Sequence, residues 1–321
     1  RDDLRFLEAG ELNFKLVPTD SIALAYEHQE VLKAFSFRAL GERLIADPTR
    51  GESLLNAFES PLVEAAKSSD LFSLIEYELS VHREKVAKKE AVVIIPGFEK
   101  LSEMIGGFNP GHLIAVTAAT GFGKTNLGLN LAIRAASSGK RVAYGNFEMT
   151  DAIIAKRSVV IGTGITYADY QSGNISDWAI EELKKYIGDR VQVTHGRALS
   201  LPAIEAWARM LKKRDGLDFL FIDYDQKIVL NTDRYTPEWK AIQNAFIRLD
   251  DLTKELQFCC IIFAQVNREG EISASHRAIF STDTVISFER HPTYGPVLWA
   301  KKNRHGIKGE AVIVDYSEAN S

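Results

Sequence analysis

From residue 91 to the end of the chain, short apolar runs alternate with longer stretches in which apolar residues return every third or fourth position. The runs at 113–117, 141–147, 191–194, 219–222 and 259–264 predict strands, because a brief continuous apolar run fits a strand buried on both faces. The stretches at 126–136, 152–161, 202–213 and 237–256 carry helical spacing and predict amphipathic helices. Three more runs, at 285–288, 297–300 and 311–316, follow one another with short connections and predict an antiparallel extension. Strands alternating with helices predict an α/β fold, a mostly parallel central sheet with helices on both faces.

Before residue 91 the rhythm is different. Apolar residues recur at helical spacing in 27–35 and 71–79, and Asp47-Pro48-Thr49-Arg50-Gly51 breaks the pattern between helices. The stretch 82–90 carries Arg83, Lys85, Lys88 and Lys89 and reads as a solvated helix end or linker. Two parts are therefore expected: a smaller helical N-terminal region with linker over 1–90, and an α/β domain over 91–321.

Composition narrows the class. Of 321 residues, 45% are hydrophobic and 26% charged, and the net charge is −4. That is an ordinary globular balance, with no run long and apolar enough for a membrane span. The first residues lack the apolar core of a secretion signal and there is no initiator Met, so a fragment or processed chain is expected, working in the cytoplasm. The only cysteines, Cys259 and Cys260, adjoin in an apolar run and read as buried core thiols. The mild acidity also implies that any nucleic-acid contact is local, or built where subunits meet.

The strongest chemical signal is the loop Ala118-Ala119-Thr120-Gly121-Phe122-Gly123-Lys124-Thr125, followed by Asn126 at the start of a predicted helix. Small residues let backbone N–H groups turn inward around phosphate oxygens, and the helix directs its positive end at the same point. Lys124 can reach the β- and γ-phosphates and the Thr125 hydroxyl can hold Mg²⁺, so ATP-Mg²⁺ is the expected ligand. Ala118 stands where the strict motif has glycine.

Two carboxylates and an amide end other strands. Asp223 closes the run 219–222, where a carboxylate is costly without a partner; water on Mg²⁺ would supply one. Glu148 follows the strand 141–147 and is expected on the neighbouring strand beside the nucleotide, where an acid can orient and deprotonate the attacking water. Gln265 ends the run 259–264 and can sense the γ-phosphate.

With these segments in place, the chain resembles the replicative DNA helicases of the DnaB family, whose motor domain is RecA-like. The resemblance covers about residues 91 to 316. It rests on Ile95-Pro96-Gly97-Phe98 with Gly106-Gly107-Phe108-Asn109-Pro110-Gly111 ahead of the first strand, on the phosphate loop, and on Phe147-Glu148-Met149-Thr150. Ile222-Asp223-Tyr224-Asp225-Gln226, Ala264-Gln265-Val266-Asn267-Arg268 and Lys302-Asn303-Arg304-His305-Gly306 complete it. Asp225 stands where the family usually has Leu, and residues 269–284 form a shorter stretch than the family's.

The resemblance implies a hexameric ring on single-stranded DNA with ATP at each subunit boundary. It implies that Arg157 faces the nucleotide and that Lys302 and Arg304 reach the neighbour's ATP. Both sit at the end of a strand, one residue apart, so both project from one face. Arg268 is the foremost candidate phosphate contact to DNA, with Arg277 and Lys227 beside it. A primase, fused upstream or separate, and a helicase loader are the implied partners. Two other functions share much of this sequence pattern: a recombination ATPase of the RecA or RadA type, and a non-motor ATPase that switches a protein partner.

Overall fold

The computed structural model describes residues 71–87, 92–147, 149–194, 200–223, 238–266, 282–306 and 308–314. The chain separates into two units, Arg1–Val81 and His82–Ser321. Helix α1, Leu71–Ala87, crosses that division and carries the charged 82–90 stretch in helical form as far as Ala87. Among the described residues no helix is long and apolar enough to cross a membrane.

The second unit runs α2 (Glu99–Ile105), β1 (Leu113–Ala118), α3 (Lys124–Ser137), β2 (Val142–Asn146), α4 (Asp151–Thr163), α5 (Tyr167–Gln171), α6 (Asp177–Ile187) and β3 (Val191–Val193). It continues α7 (Leu201–Arg214), β4 (Phe219–Asp223), α8 (Glu238–Leu256), β5 (Cys259–Gln265), β6 (Thr284–His291), β7 (Gly295–Asn303) and β8 (Ala311–Ile313). The strands form one sheet in the order β3-β2-β4-β5-β1-β6-β7-β8. Every pairing from β3 to β6 is parallel, and β6–β7 and β7–β8 are antiparallel.

Alternation along the strands divides the core into two layers, as a period of two requires. Ile114, Val116, Tyr144, Phe219, Phe221, Cys259, Ile261 and Phe263 pack on one face with Leu127 and Leu131 of α3. Leu113, Ala115, Leu220, Ile222, Cys260 and Ile262 pack on the other with α7 and α8. In α7 the buried positions Ile204, Ala208 and Leu211, and in α8 Ile242, Phe246 and Leu249, recur at three and four spacing. Helix α7 also starts as its sequence dictates: Ser200 accepts from the Ala203 N–H, and Pro202 occupies the first turn where its missing donor does no harm. The adjacent cysteines point into opposite layers and are fully buried, and burial pushes both thiols up from their ordinary pKa.

This order places the site. Strand β1 carries the phosphate loop at its C-terminal end and lies between β5 and β6. Strand β2, which leads to Glu148, neighbours β3 and β4 rather than β1, with Asn146 in register with Asp223. The C-terminal ends of β1, β5, β4 and β2 therefore form one rim, with Ala118, Gln265, Asp223 and Asn146 along it. In open parallel sheets ligands bind along such a rim.

Candidate nucleotide site

The loop between β1 and α3 is shaped by two glycines. Gly121 (φ +74°) and Gly123 (φ +94°) occupy left-handed backbone, which side-chain-bearing residues rarely adopt. A Cβ at Gly121 would meet nothing within 4 Å, so its left-handed backbone rather than crowding is what calls for glycine there. Helix α3 begins at Lys124, and its first three residues, Lys124, Thr125 and Asn126, are polar yet buried. The Lys124 ammonium donates to the carbonyls of Ala118 and Ala119, each at 3.1 Å, and so lies inside the loop.

Asp223 reaches the same region from β4. It is 1% exposed, and the Tyr144 hydroxyl donates to its Oδ2 at 3.0 Å. The same hydroxyl lies 3.0 Å from where a Cβ of Gly128 would be. Gly128 is four residues after Lys124 and three after Thr125, a spacing that puts all three on one helix face. Helix α3, Tyr144 and Asp223 thus stack in direct contact, with the buried carboxylate on the side of the helix start. A loop turned by two left-handed glycines, one buried cation, one hydroxyl and one buried carboxylate form a set that suits a triphosphate with its divalent cation.

Two further residues adjoin the loop. The Gln265 amide donates to the Thr120 hydroxyl, which ties the end of β5 to the loop. Arg157 on α4 donates from Nη1 to Asn126 Oδ1 at 2.8 Å, beside the helix start. Phe122 packs edge-on against Phe288 of β6, with ring centres 4.7 Å apart. Glu148 lies outside the described residues, but its flanks are held: Phe147 N donates to Asp223 O at 3.0 Å, and the Asn146 side chain bridges to both N and O of Met149 at 3.1 and 2.7 Å. Lys227, Arg268 and Arg277 also lie outside the described residues.

Lys302 and Arg304 sit at the other end of the sheet. Strand β7 runs antiparallel to β6, so its last residue, Asn303, pairs with Thr284, and Thr284 pairs with Ile114 near the start of β1. A bulge between Val285 and Ile286 leaves Lys301 as the extra residue of β7, a device that re-aims the side chains beyond it. The Lys302 ammonium donates to Thr282 O, and Arg304 Nη1 lies 3.3 Å from Asp283 Oδ1. Both cations therefore gather at Thr282–Asp283, and burial with the nearby Arg304 charge lowers the Lys302 pKa. Asn303 donates to Met104 O at 2.9 Å, and a Cβ at Gly306 would come within 2.5 Å of that same oxygen. The turn after β7 is thus seated on the end of α2.

Sequence reasoning passed over Tyr144, Asn146, Asp283 and Asn303. Tyr144 and Asn146 are polar groups inside or beside an apolar run, Asp283 and Asn303 stand among other polar residues, and only the partner of each in the fold reveals a task.

Comparison with known proteins agrees with this architecture. Residues 94–282, more than half of the chain, match the family described as DnaB-like helicase C terminal domain. The replicative DNA helicase DnaB of Helicobacter pylori is 26% identical over 254 residues, which cover 70% of this chain and 52% of that protein. The chain thus spans about half the length of that relative. Among solved structures, one described as an ATPase domain superimposes with a TM-score of 0.66 at 18% identity, covering 77% of this chain and 96% of that one. A DnaB-like replicative helicase, described with its interactions with primase, gives 0.65 at 16% identity, covering 94% of this chain and 77% of that one. At these identities the structural likeness concerns the fold, here a RecA-like ATPase fold. From the matched span and the order of its segments, the chain belongs to the DnaB-like helicase C-terminal domain family.

Proposed function

We propose that this chain is the motor of an ATP-dependent replicative DNA helicase, which works as a hexameric ring on single-stranded DNA. The observation that carries the reading is the separation of two charge clusters by the length of β1. Lys124 follows its C-terminal end, whereas Asp283, the partner of Arg304, accepts a hydrogen bond from Leu113 at its N-terminal end. Five steps at about 3.3 Å put roughly 16 Å between them, farther than an arginine side chain spans. Arg304 cannot serve the ATP of its own chain. It can serve a neighbour's, and a head-to-tail ring supplies one at every boundary.

Within a chain, Lys124 and the loop N–H groups hold the β- and γ-phosphates, and Arg157 lies where it can meet the rest of the nucleotide. Thr125 and Asp223 are the chain's share of the cation's surroundings, with Tyr144 fixing the carboxylate. Bound Mg²⁺ supplies charge neutralisation across the phosphate oxygens. Glu148 orients the attacking water and takes its proton, and Gln265, tied to Thr120, reports the γ-phosphate to the segment that follows β5. Lys302 and Arg304 of the adjacent chain neutralise charge in the transition state. An arginine in this role is worth about 10³-fold or more in rate.

Arg268, Arg277 and Lys227, on segments that follow β5 and β4, would contact the DNA backbone in the channel. Six copies of a few cations concentrate charge there despite the net −4 of the chain. Interaction with a primase is proposed from the likeness to a helicase described with one, and a loader from the family resemblance. The test is ATP turnover with and without single-stranded DNA, together with strand displacement on a forked duplex. Stimulation that weakens with salt is expected, as electrostatic strand binding requires. Turnover indifferent to single strands would end the motor reading and favour a protein switch.

A further inference from the structure

The Asp283 side chain is only 7% exposed. A carboxylate so buried is costly unless several groups satisfy it. Its Oδ2 accepts from the Leu113 N–H at 3.0 Å, and its Oδ1 faces Arg304 Nη1 at 3.3 Å and His305 Nε2 at 3.7 Å. Its backbone is fixed as well: Asp283 N donates to Leu113 O at 2.9 Å, and Asp283 O accepts from Arg304 N at 3.1 Å. The acid is thus immobilised between the starts of β1 and β6. The arginine beside it keeps its side chain 49% exposed. A fixed buried anion beside a half-exposed guanidinium is an arrangement that aims the guanidinium. Aiming it beforehand removes rotamer freedom that would otherwise be lost when it engages a phosphate.

We infer that Asp283 is the positioning residue for the boundary-crossing Arg304, a role that rests on the ring reading above. Asp283 lies far from its own chain's nucleotide, so its effect belongs to the neighbour's reaction. Asp283→Asn keeps an acceptor for the Leu113 N–H but loses the charge that aims Arg304. Its rings are expected to turn over ATP about tenfold more slowly, with the KM for ATP unchanged within about twofold. Asp283→Glu, which keeps the charge, is expected to fall between.

Mixing chains separates positioning from a merely structural role. Lys124→Ala chains have a disabled loop but an intact Asp283–Arg304 pair. Mixed with Asp283→Asn chains, they are expected to restore turnover to about a quarter of wild type, the share of boundaries with both good halves in random rings. If Asp283→Asn fails to fold, Asp283→Ser, which also offers Leu113 an acceptor, takes its place. The control mixes Lys124→Ala with Arg304→Ala. Recovery in the control without recovery for the Asp283 variant overturns the positioning role and leaves the ring reading intact. No recovery in the control overturns both. Wild-type turnover by Asp283→Asn alone also overturns the positioning role.

Discussion

Gly128 has no room for a methyl group. A Cβ there would lie 2.9 Å from the Phe263 ring and 3.0 Å from the Tyr144 hydroxyl that holds Asp223. Alanine in a helix interior ordinarily stabilises relative to glycine by about 1 kcal/mol. Here overpacking is expected to win, because such insertions cost about 1–3 kcal/mol. Gly128→Ala should therefore lower stability in a denaturant titration and slow ATP turnover by displacing Tyr144; a stabilised, fully active variant would contradict this packing. At this scale the sequence showed groups that are chemically conspicuous. Lys124 and Thr125 belong to a glycine loop between a strand and a helix, and Asp223 and Gln265 end apolar strands that follow it in order. Tyr144 and Asp283 were not legible, because their partners lie 79 and 170 positions away in the chain. A tyrosine in an apolar strand looks like packing until the carboxylate opposite is known.

Among the elements, strands were legible to within a few residues, since continuous apolar runs flanked by turns admit few other readings. Helices α2, α5 and α6 were not read. They are short, and each of the last two buries one residue or none, Leu183 being the anchor of α6. Strand order was beyond the sequence too, because it depends on which strands pair across the sheet. Hence β4 and β5 stand between β1 and β2 without any local sign. Contact between elements also gives a pH dependence. His112, just before β1, stacks on His305 after β7 with ring centres 4.0 Å apart. Burial first, then the neighbouring His305, lowers its pKa from 6.5 to about 4. The unfolded chain therefore takes up this proton below about pH 6.5 while the folded chain resists it until about pH 4, so stability falls as pH drops through that window. His112→Phe keeps the stack without the titration. Its melting temperature should fall less than wild type between pH 7 and pH 5, and equal slopes would rule out His112 as the cause.

At the scale of the whole molecule, the proposed reaction centre is divided between chains. The phosphate loop, Asp223, Gln265 and Arg157 gather at the C-terminal rim of the sheet, and Lys302 and Arg304 gather at its opposite end. The lead-in glycines and the basic turn after β7 were both legible as motifs. That they interlock was not: a Cβ at Gly106 would collide with His305 O. This contact secures the basic turn on the far side from its own loop, where the proposed ring would bring a neighbour's loop. The most direct measurement is ATP turnover by Lys124→Ala chains and Arg304→Ala chains, separately and mixed one to one. Each alone should be inactive or nearly so, and the mixture should regain turnover because some boundaries combine an intact loop with an intact arginine. Mixtures that stay inactive at every ratio, or Arg304→Ala chains that hydrolyse ATP at the wild-type rate alone, would contradict a site shared between neighbours.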